Sequence, residues 1–487
     1  MVSFFRRSQE KKKDSRILRV GLLNPVRTLD PRDAQDTVSV LVLVQIFETP
    51  YAPPAADEPA EALLFDGPLR EERAEGGRQV YSAGLRPGVR FADGTPLTAA
   101  HVVRSLSGAE GFVAQAEARA DGERVRFVLH RPTRRFDLVL CQHFCSIVLE
   151  KGSERLGTGP YQIAPDATPE RMRLVRNPHH WQDFPIDELE FVYFPPSAGG
   201  APERLLAALE AGEIHFSNAL SRDDVAKLQQ VRKWFQPGNS TASLYFNTER
   251  SHLRDARVRR ALALAIDRSE LARICYENAL AFTATSLLPP MMGAWRDGIR
   301  HTPRQARELL AEAAAPLPAS LRMLMPWGPR SYLPQPQQVG AAVACQLGEV
   351  GVRVDQEPTQ DSQQFYRRCA HGDFDLALIG WIADTADPAD FLEANLSSRS
   401  IPEPGKSPAI RANMSRWRDS QIDALLARYR EDPSEGNKVA VLERVGEEVP
   451  LLPLMYGPTI AVHSWRLKGF SPSPIGFPIF SRLDLEA

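Results

Sequence analysis

Two hydrophobic patterns alternate along this chain. Apolar residues at every second position, or in short continuous runs, predict β-strands. Such segments lie at 17–23, 124–130, 186–195, 243–249 and 320–327. Apolar residues that recur every three or four positions predict helices. Such segments lie at 205–214, 255–274, 303–313 and 422–430. Because strands that alternate with helices are typical of an α/β sheet domain, we expect a mixed α/β protein.

Local signals mark the ends of several segments. Thr98 and Asp267 carry side chains that cap helix N-termini, and Gly212 suits the end of a helix. Residues 51–156 form a block of short strands, tight turns and one helix, which predicts a small α+β subdomain. Residues 449–464 are apolar but contain prolines, so we expect a pair of strands at a sheet edge or crossover.

The most informative segment is FDLALIGWIADTADP, residues 374–388. It begins as an apolar strand and then becomes a loop that carries Trp381, Asp384 and Asp387. An aromatic ring followed closely by a carboxylate suits an amine, because the ring covers the apolar stem while the acid pairs with the charge. A buried strand that ends in a polar turn, with Asp384 capping a helix that opens at 387–388, explains the same residues.

Composition indicates an ordinary soluble globular protein. The chain has 487 residues, which is long enough for two or three domains. Of these residues, 43% are hydrophobic and 25% are charged. Its net charge of -2 gives no basic excess for nucleic acid. The longest apolar run, 38–47, is too short to span a membrane and predicts a buried helix or strand.

The first 15 residues form a basic, polar tail that contains no apolar run of a secretory signal. Five cysteines without a dense spacing pattern favour buried free thiols over a disulfide framework, and thus a reducing compartment. These observations leave the compartment open between the cytoplasm and the periplasm.

Motifs of enzymes are missing from the sequence, which contains no GxSxG, HExxH, GxGxxG or phosphate-binding GxxxxGK[ST] pattern. Cys141 and Cys145 lack further ligands at zinc spacing, and His179-His180 fits a surface loop better than a metal site. We therefore expect no catalytic activity, cofactor or metal.

Eight motifs occur in an order that resembles the family 5 solute-binding proteins of ABC importers. They are LRPGVRFADGTPLTAAHVV, GTGPY, RNPHHW, LLAALEAGEI, LYFNTE, DARVRRALALAIDRSEL, GDFDLALIGWIADTADP and NMSRWRDSQIDALL. The resemblance extends from about residue 17 to the C-terminus. Members of that family bind oligopeptides, dipeptides, nickel chelates and related solutes.

The resemblance implies a type II, two-lobed periplasmic-binding-protein-like fold, with an extra α+β subdomain inserted in the first lobe. Lobe I would comprise 16–50, 157–245 and 463–487, the insertion 51–156, and lobe II 246–462. Two crossover strands would hinge the lobes, which close on an extended peptide-like ligand. We expect a monomer that delivers its ligand to ABC permease subunits.

Site residues follow from the resemblance one position at a time. Asp384 matches the carboxylate that pairs with the α-amino group of a peptide, and Trp381 matches the aromatic residue beside it. Tyr245 and Asn247 match positions that line the cleft and bond the backbone of an extended ligand. Asp387, which precedes Pro388, better fits a helix cap.

Weaker expectations concern four further positions. Thr158 and Gly159 would let the backbone approach the ligand, although a plain turn explains them equally well. Thr28 matches a position that faces the cleft. Arg416 resembles a structural anchor of the helix that follows it. No residue could be assigned to a ligand carboxylate, so the choice between dipeptides and longer peptides stays open.

A second function is compatible with the same fold. Some proteins use it as a cytoplasmic ligand sensor without transport, and the missing signal and free thiols favour that alternative. However, no helix-turn-helix motif precedes residue 17. A third interpretation is an import receptor whose signal lies upstream of Met1.

Overall fold

The computed structural model describes residues 16–486, apart from 35, 55–58, 169–170, 197–199, 277–278, 294–297, 314–315, 384–386, 406–411 and 473–476. The predicted N-terminal tail and Asp384 therefore lie outside the described residues.

Twenty strands are numbered along the described chain. They are β1 Ile17–Leu22, β2 Tyr51–Ala52, β3 Glu61–Ala62, β4 Arg70–Glu75, β5 Arg78–Gly84, β6 Ala116–Asp121, β7 Arg124–Leu129, β8 Leu149–Lys151, β9 Glu154–Leu156, β10 Tyr161–Ile163, β11 Arg171–Arg176, β12 Glu188–Tyr193, β13 Phe216–Ser217, β14 Val231–Phe246, β15 Leu321–Met325, β16 Val354–Pro358, β17 Leu376–Ile382, β18 Leu451–Ser464, β19 Leu467–Lys468 and β20 Asp484–Leu485.

Fifteen α-helices are numbered in the same way. They are α1 Thr37–Leu43, α2 Ala99–Ser107, α3 Glu110–Val113, α4 Phe136–Val139, α5 Ala201–Glu210, α6 Arg222–Lys227, α7 Ala256–Leu264, α8 Arg268–Cys275, α9 Ala279–Phe282, α10 Pro303–Ala311, α11 Pro336–Glu349, α12 Ser362–His371, α13 Pro388–Leu396, α14 Ser420–Glu431 and α15 Glu435–Glu448. Short 3₁₀ turns lie at His143–Cys145, Ser251–Leu253, Pro290–Met292, Ser398–Ser400 and Phe480–Arg482.

A ten-stranded sheet runs through both lobes, in the order β10-β11-β12-β1-β13-β18-β14-β17-β15-β16. Strands β1, β12 and β13 are parallel neighbours in lobe I, and β15, β16 and β17 are parallel neighbours in lobe II. The long antiparallel strands β14 and β18 join the two halves. The chain is thus the two-lobed α/β protein that the resemblance implied.

The two joining strands pair with each other along most of their length. The N-terminal part of β14 pairs only with β18, whereas Ser240–Phe246 also pairs with β17. A register shift between the pairs formed by Pro237 and Thr241 interrupts the β14–β18 ladder. The ladder between the two joining strands is therefore interrupted near the middle of both strands. The predicted strand pair at 449–464 is wrong, because β18 is one continuous strand.

Gly457 lies on β18 at this crossing. A Cβ atom at this position would come within 2.3 Å of the Ser240 hydroxyl oxygen and 2.8 Å of the Tyr332 Cα atom. A side chain here would therefore push apart the strands that connect the lobes.

Lobe II is a sheet covered on both faces by helices. Successive residues of a strand point to opposite faces, and β14 shows this directly. Leu244 packs in the core beneath α7, α8 and α11, whereas Tyr245 packs in the core beneath α12 to α15. This double cover explains why the strands of lobe II are apolar on both sides.

The subdomain at 51–156 has a core of its own. Its antiparallel sheet has the order β4-β5-β7-β6 and packs against α2, α3 and α4. Lobe I has a separate core formed by β1, α1 and the C-terminal segment around Phe480. The apolar run 38–47, predicted as a helix or a strand, contains most of α1.

The predicted helix caps are confirmed. Thr98 and His101 form a capping box at the start of α2, and Asp267 accepts hydrogen bonds from the backbone at the start of α8. Gly212 follows α5 with a φ of 71°. The pattern at 255–274 forms two helices, α7 and α8, because Asp267 begins a new one.

All five cysteines are free, and all except Cys345 are buried, as predicted. Among the described residues, no group of three or more His, Cys, Asp or Glu side chains has the geometry of a metal site. The longest described helices have 14 residues, and none is long and apolar enough to cross a membrane.

Candidate ligand-binding cleft

A continuous cleft of about 1970 Å³ lies between the two lobes and extends beneath the inserted subdomain. At the hinge, its walls include Asn239 of β14 and Pro458 of β18. Ligand sites in α/β folds form beyond the carboxyl ends of parallel strands. In lobe II, β15 and β17 are parallel neighbours, so the loops after both strands reach the same edge of the sheet. This edge faces the cleft.

The strand β17 delivers Trp381, Ile382 and Ala383 to the cleft wall. Asn239 holds the end of this strand, because the Ala383 amide donates to the Asn239 carbonyl at 2.7 Å and the Asn239 side-chain amide donates to the Ala383 carbonyl at 3.3 Å. The Trp381 side chain is half-buried. The start of the loop that carries Asp384 is therefore fixed to the hinge.

The other end of that loop is fixed by Asp387, which caps α13 as predicted. Its carboxylate accepts a hydrogen bond from the Ala389 amide at 2.8 Å. The side chain is nearly inaccessible, and burial raises the pKa of Asp387 to about 7, with a further contribution from the negative charge of Asp390. Asp387 therefore has a structural partner and lies beneath the surface of the cleft.

One face of α13 and one face of α14 continue the lobe II wall. Arg430 of α14 lines the cleft and donates hydrogen bonds to Asp390 at 3.1 Å and to Glu393 at 2.7 Å. Asp423 accepts hydrogen bonds from the Ser397 hydroxyl at 3.2 Å and the Ser398 amide at 3.0 Å. The acidic side chains of this wall are thus already balanced by protein donors.

The opposite wall contains two histidines whose Nε2 atoms have protein partners. His143 Nε2 lies 2.9 Å from the Ala34 carbonyl oxygen, and His180 Nε2 lies 3.3 Å from the Glu48 carboxylate. Glu48 also accepts a hydrogen bond from the indole N–H of Trp181 at 3.1 Å. The His180 side chain is 4% exposed, so the prediction of a surface loop for His179-His180 is wrong for this residue.

Among the described residues predicted to bind ligand, only Trp381 lines the cleft. Tyr245 is 1% exposed, and its hydroxyl donates to the Asn395 side-chain oxygen at 2.8 Å. The Asn247 side-chain amide donates to the carbonyls of Gly372 and Phe374 at 3.2 and 2.9 Å. The structure therefore places Tyr245 and Asn247 inside lobe II, since helices cover both faces of β14.

Thr158, Gly159 and Thr28 also lie away from the cleft lining. Gly159 packs against the turn that follows α1, where its amide donates to the Ile46 carbonyl at 2.9 Å and a Cβ atom would lie 2.5 Å from that oxygen. Thr158 is fully buried. The Thr28 hydroxyl accepts a hydrogen bond from the Asp30 amide at 3.1 Å. These contacts match the turn interpretation of Thr158 and Gly159 and give Thr28 a local structural role.

Arg416 anchors the entry to α14, as expected. Its guanidinium pairs with Glu249 at 2.6 Å and donates to the carbonyls of Cys369 and Pro402 at 3.0 and 2.9 Å. The residue has a φ of 53°, which is unusual for a side chain larger than glycine. Several buried hydrogen bonds thus hold the backbone in this conformation.

The sequence interpretation missed Arg330, which lies in the loop after β15. The neighbouring residue Ser331 lines the cleft. The guanidinium carbon of Arg330 lies 4.5 Å from the centre of the Trp327 ring. Its Nε atom is buried and has no hydrogen-bond partner among the described residues. The available signal was an arginine in a proline-rich loop directly after a predicted strand.

Comparison with known proteins identifies the family. Residues 70–403 match the family model described as bacterial extracellular solute-binding proteins, family 5 Middle. The chain belongs to this family. Membership in this family accounts for the two lobes, the inserted subdomain and the interlobe cleft.

Two curated family 5 relatives illustrate the similarity. The chain is 28% identical over 395 residues to di/tripeptide-binding protein 2 of Pseudomonas aeruginosa, covering 76% of this chain and 71% of that protein. It is 26% identical over 394 residues to heme-binding protein A of Haemophilus influenzae, covering 76% of this chain and 69% of that protein. Both relatives are named as binding proteins.

Solved structures share the fold. HbpA2 from Haemophilus parasuis superposes with a TM-score of 0.84 and 22% identity, covering 97% of this chain and all of that one. A dipeptide-binding protein from Pseudoalteromonas sp. SM9913 in complex with Met-Leu gives a TM-score of 0.72 and 19% identity, covering 96% of this chain and all of that one. At these identities the comparison establishes the two-lobed architecture.

Proposed function

We propose that this solute-binding protein binds a peptide with a free α-amino group in the interlobe cleft, as a monomer, and delivers it to the permease subunits of an ABC importer. The observation that carries the proposal is the shared sheet edge of lobe II. There the parallel strands β15 and β17 bring Ser331, the neighbour of Arg330, and Trp381 to one side of the cleft. A ligand bound there would contact the Trp381 ring, and we propose that Asp384 and Arg330 supply the charged groups.

Asp384 is the proposed partner of the ligand amine. It directly follows Ala383, which Asn239 holds at the hinge. The half-buried ring of Trp381 would cover the apolar part of the first peptide residue. In a closed cleft that excludes water, a carboxylate and an ammonium group interact more strongly than at an exposed surface. A free amine would therefore be required for tight binding.

Arg330 is the proposed donor to ligand oxygen atoms. A guanidinium presents five N–H groups and favours carboxylates and carbonyls. The buried Nε of Arg330 lacks a described partner, and leaving such a donor unpaired is costly. We propose that a carboxylate or backbone carbonyl of the ligand pairs with the terminal N–H groups of this guanidinium.

Closure of the lobes would couple binding to transport. The interrupted ladder between β14 and β18 provides a point where these strands can bend. A ligand that contacts both lobes has a higher affinity for the closed form and shifts the population toward it. A permease could then distinguish the closed, loaded protein from the open, empty one.

The names of the relatives support a peptide, since they include a di/tripeptide-binding protein and a dipeptide-binding protein in complex with Met-Leu. Heme is named for another relative, but the Nε2 atoms of the cleft residues His143 and His180 already have protein partners. A peptide therefore fits the described cleft better. The cytoplasmic sensor alternative finds no support among these relatives.

Native mass spectrometry tests the proposal. The protein would be unfolded to remove bound solute, refolded, and offered random tripeptide and hexapeptide libraries with free termini, or hemin. We expect peptide masses on the wild type and weaker retention by Trp381→Ala. An exposed control, Trp465→Ala, should bind like the wild type. A folded protein that retains hemin and no peptide would overturn the proposal.

A further inference from the structure

The first part of the joining strand β14 is held by both lobes at once. Trp234 and Phe235 are neighbours in this strand, so their side chains point to opposite faces. The Trp234 indole N–H donates to His463 Nε2 at 3.1 Å, and its ring lies 5.9 Å from the Phe470 ring, against the core of lobe I. The Phe235 ring lies 4.9 Å from the ring of Phe282 on α9, in lobe II.

A hydrogen bond between the lobes lies beside this segment. The guanidinium of Arg222, the first residue of α6 in lobe I, donates to the Cys275 carbonyl at 2.8 Å. Cys275 is the last residue of α8, where backbone carbonyls have no partner within the helix and the helix dipole favours a positive charge. The next residue, Tyr276, has its ring 6.0 Å from that of Phe235. The hydrogen bond and the ring contacts therefore form one interlobe surface.

This surface lies on the face of the sheet that is turned away from the cleft. Phe235 packs against the lobe II core beneath α7, α8 and α11, which includes Tyr276 and Phe282. Among the described residues, none from the helices α7 to α11 lines the cleft, whereas α13 and α14 on the other face do. We call the contacts of Arg222 with Cys275, and of Phe235 with Tyr276 and Phe282, the rear brace.

A bend of the joining strands would affect the two faces in opposite ways. The ladder between β14 and β18 is interrupted between Pro237 and Thr241, shortly after Phe235. Bending toward the cleft brings the lobes together on the cleft face and moves them apart on the opposite face. A hydrogen bond is lost when the donor and acceptor atoms are more than about 3.5 Å apart. Closure of the cleft therefore breaks the bond between Arg222 and Cys275.

The rear brace is weak enough for a ligand to release. A single hydrogen bond contributes modestly to net stability, because water competes for both partners. The Tyr276 side chain is 1% exposed, and its hydroxyl has no hydrogen-bond partner among the described residues. Burying an unpaired hydroxyl costs free energy and offsets part of the gain from the ring contacts.

We infer that the rear brace holds the lobes apart in the ligand-free protein, so that a ligand must break it to close the cleft. Contacts that favour the open form lower the fraction of protein that is competent to close, and thereby lower the observed affinity. The brace regulates the cleft through residues that do not line it. Its effect on affinity rests on the proposed function, whereas its effect on the ligand-free lobes does not.

Small-angle X-ray scattering of the full chain tests the effect on the lobes. Arg222→Gln removes the interlobe guanidinium. Arg204→Gln is the matched control, because Arg204 donates to the Pro195 carbonyl within lobe I. Each protein would be unfolded to remove solute and refolded, with circular dichroism as the check of folding. We expect a smaller ligand-free radius of gyration for Arg222→Gln than for the wild type, and no change for the control.

Calorimetry with Ala-Phe-Ala, a tripeptide with free termini, tests the effect on affinity. Arg222→Gln should bind this probe about three- to tenfold more tightly than the wild type, because less free energy is needed for closure. Phe235→Leu, which removes the ring contacts with Tyr276 and Phe282, should also decrease the ligand-free radius of gyration and increase the affinity. The control Arg204→Gln should bind like the wild type.

Unchanged radii of gyration in both brace variants would overturn the inference and leave the proposed function intact. A larger radius with weaker binding would also overturn it, because the contacts would then favour closure. If Ala-Phe-Ala does not bind the wild type, that result counts against the proposed function alone. The ligand-free radii still decide whether the rear brace holds the lobes apart.

Discussion

The hydroxyl of Tyr245 donates a hydrogen bond to the side-chain oxygen of Asn395 at 2.8 Å, with both residues buried. This bond links β14, one of the two strands that join the lobes, to α13, which lines the cleft. The Asn395 amide in turn donates to the Phe391 carbonyl within α13 at 2.8 Å. The position of the cleft wall is thus connected to the joining strand through the core of lobe II.

Removing the Tyr245 hydroxyl should affect stability rather than ligand contacts. Tyr245→Phe leaves the Asn395 side-chain oxygen buried without this donor, which costs ~1–3 kcal/mol. Urea unfolding should show that loss, while calorimetry with a bound peptide shows affinity within about threefold of the wild type. If Tyr245 contacts the ligand instead, as its position in the motif suggested, affinity would fall strongly with little change in the urea midpoint.

The stability of the protein should depend on the ionisation of Asp387. Burial raises the pKa of this carboxyl to about 7, from a usual value near 4. Between about pH 4 and pH 7, Asp387 therefore keeps a proton in the folded state that it has lost in the unfolded state. Stability from this group is fully present below about pH 4 and is lost as pH rises from about 4 to 7, by at most ~1.4 kcal/mol per pH unit.

Asp387→Asn is a suitable comparison, because the amide oxygen can still accept the hydrogen bond from Ala389. The groups that face Asp387 are Asp390, Arg430 and Arg135. Urea unfolding at pH 5, 6, 7 and 8 should show wild-type stability decreasing relative to the variant up to about pH 7 and levelling off toward pH 8. A constant difference across this series would show that Asp387 is ionised throughout.

Arg330 should contribute to ligand affinity more than to folding. Arg330→Gln removes the charge, and a hydrogen bond to a charged group is worth ~1.5–3 kcal/mol, so peptide affinity should fall roughly 10- to 100-fold. Arg304→Gln is the matched control, because the Arg304 side chain is 89% exposed on α10. Equal affinities for the two variants would remove Arg330 from the binding site.

Much of the fold follows from local sequence, and the exceptions are informative. Strand alternation and the Thr98 and Asp267 caps depend on neighbouring residues, so they were predictable. The continuity of β18 was not predictable, because its prolines suggested an interruption. Pairing with β14 along its length nevertheless keeps β18 as one strand.

The candidate site was less accessible to prediction. Trp381 was found because an aromatic residue and a carboxylate follow one strand. Tyr245 and Asn247 were assigned from their place in a motif, which does not reveal that helices cover both faces of β14. Arg330 escaped notice because its relation to Trp381 depends on the parallel pairing of β15 with β17, whose residues are more than 50 positions apart.

The central claim is that a ligand amine pairs with Asp384 in the interlobe cleft. Calorimetry would measure binding of a peptide with a free α-amino group, and of its N-acetylated form, to the wild type, Asp384→Asn and the control Asp121→Asn, whose carboxyl group lies at an exposed hairpin. We predict that Asp384→Asn weakens binding of the free peptide by ~2–5 kcal/mol and abolishes the preference for it over the acetylated form. An Asp384→Asn variant with wild-type affinity and an intact preference for the free amine would contradict the account.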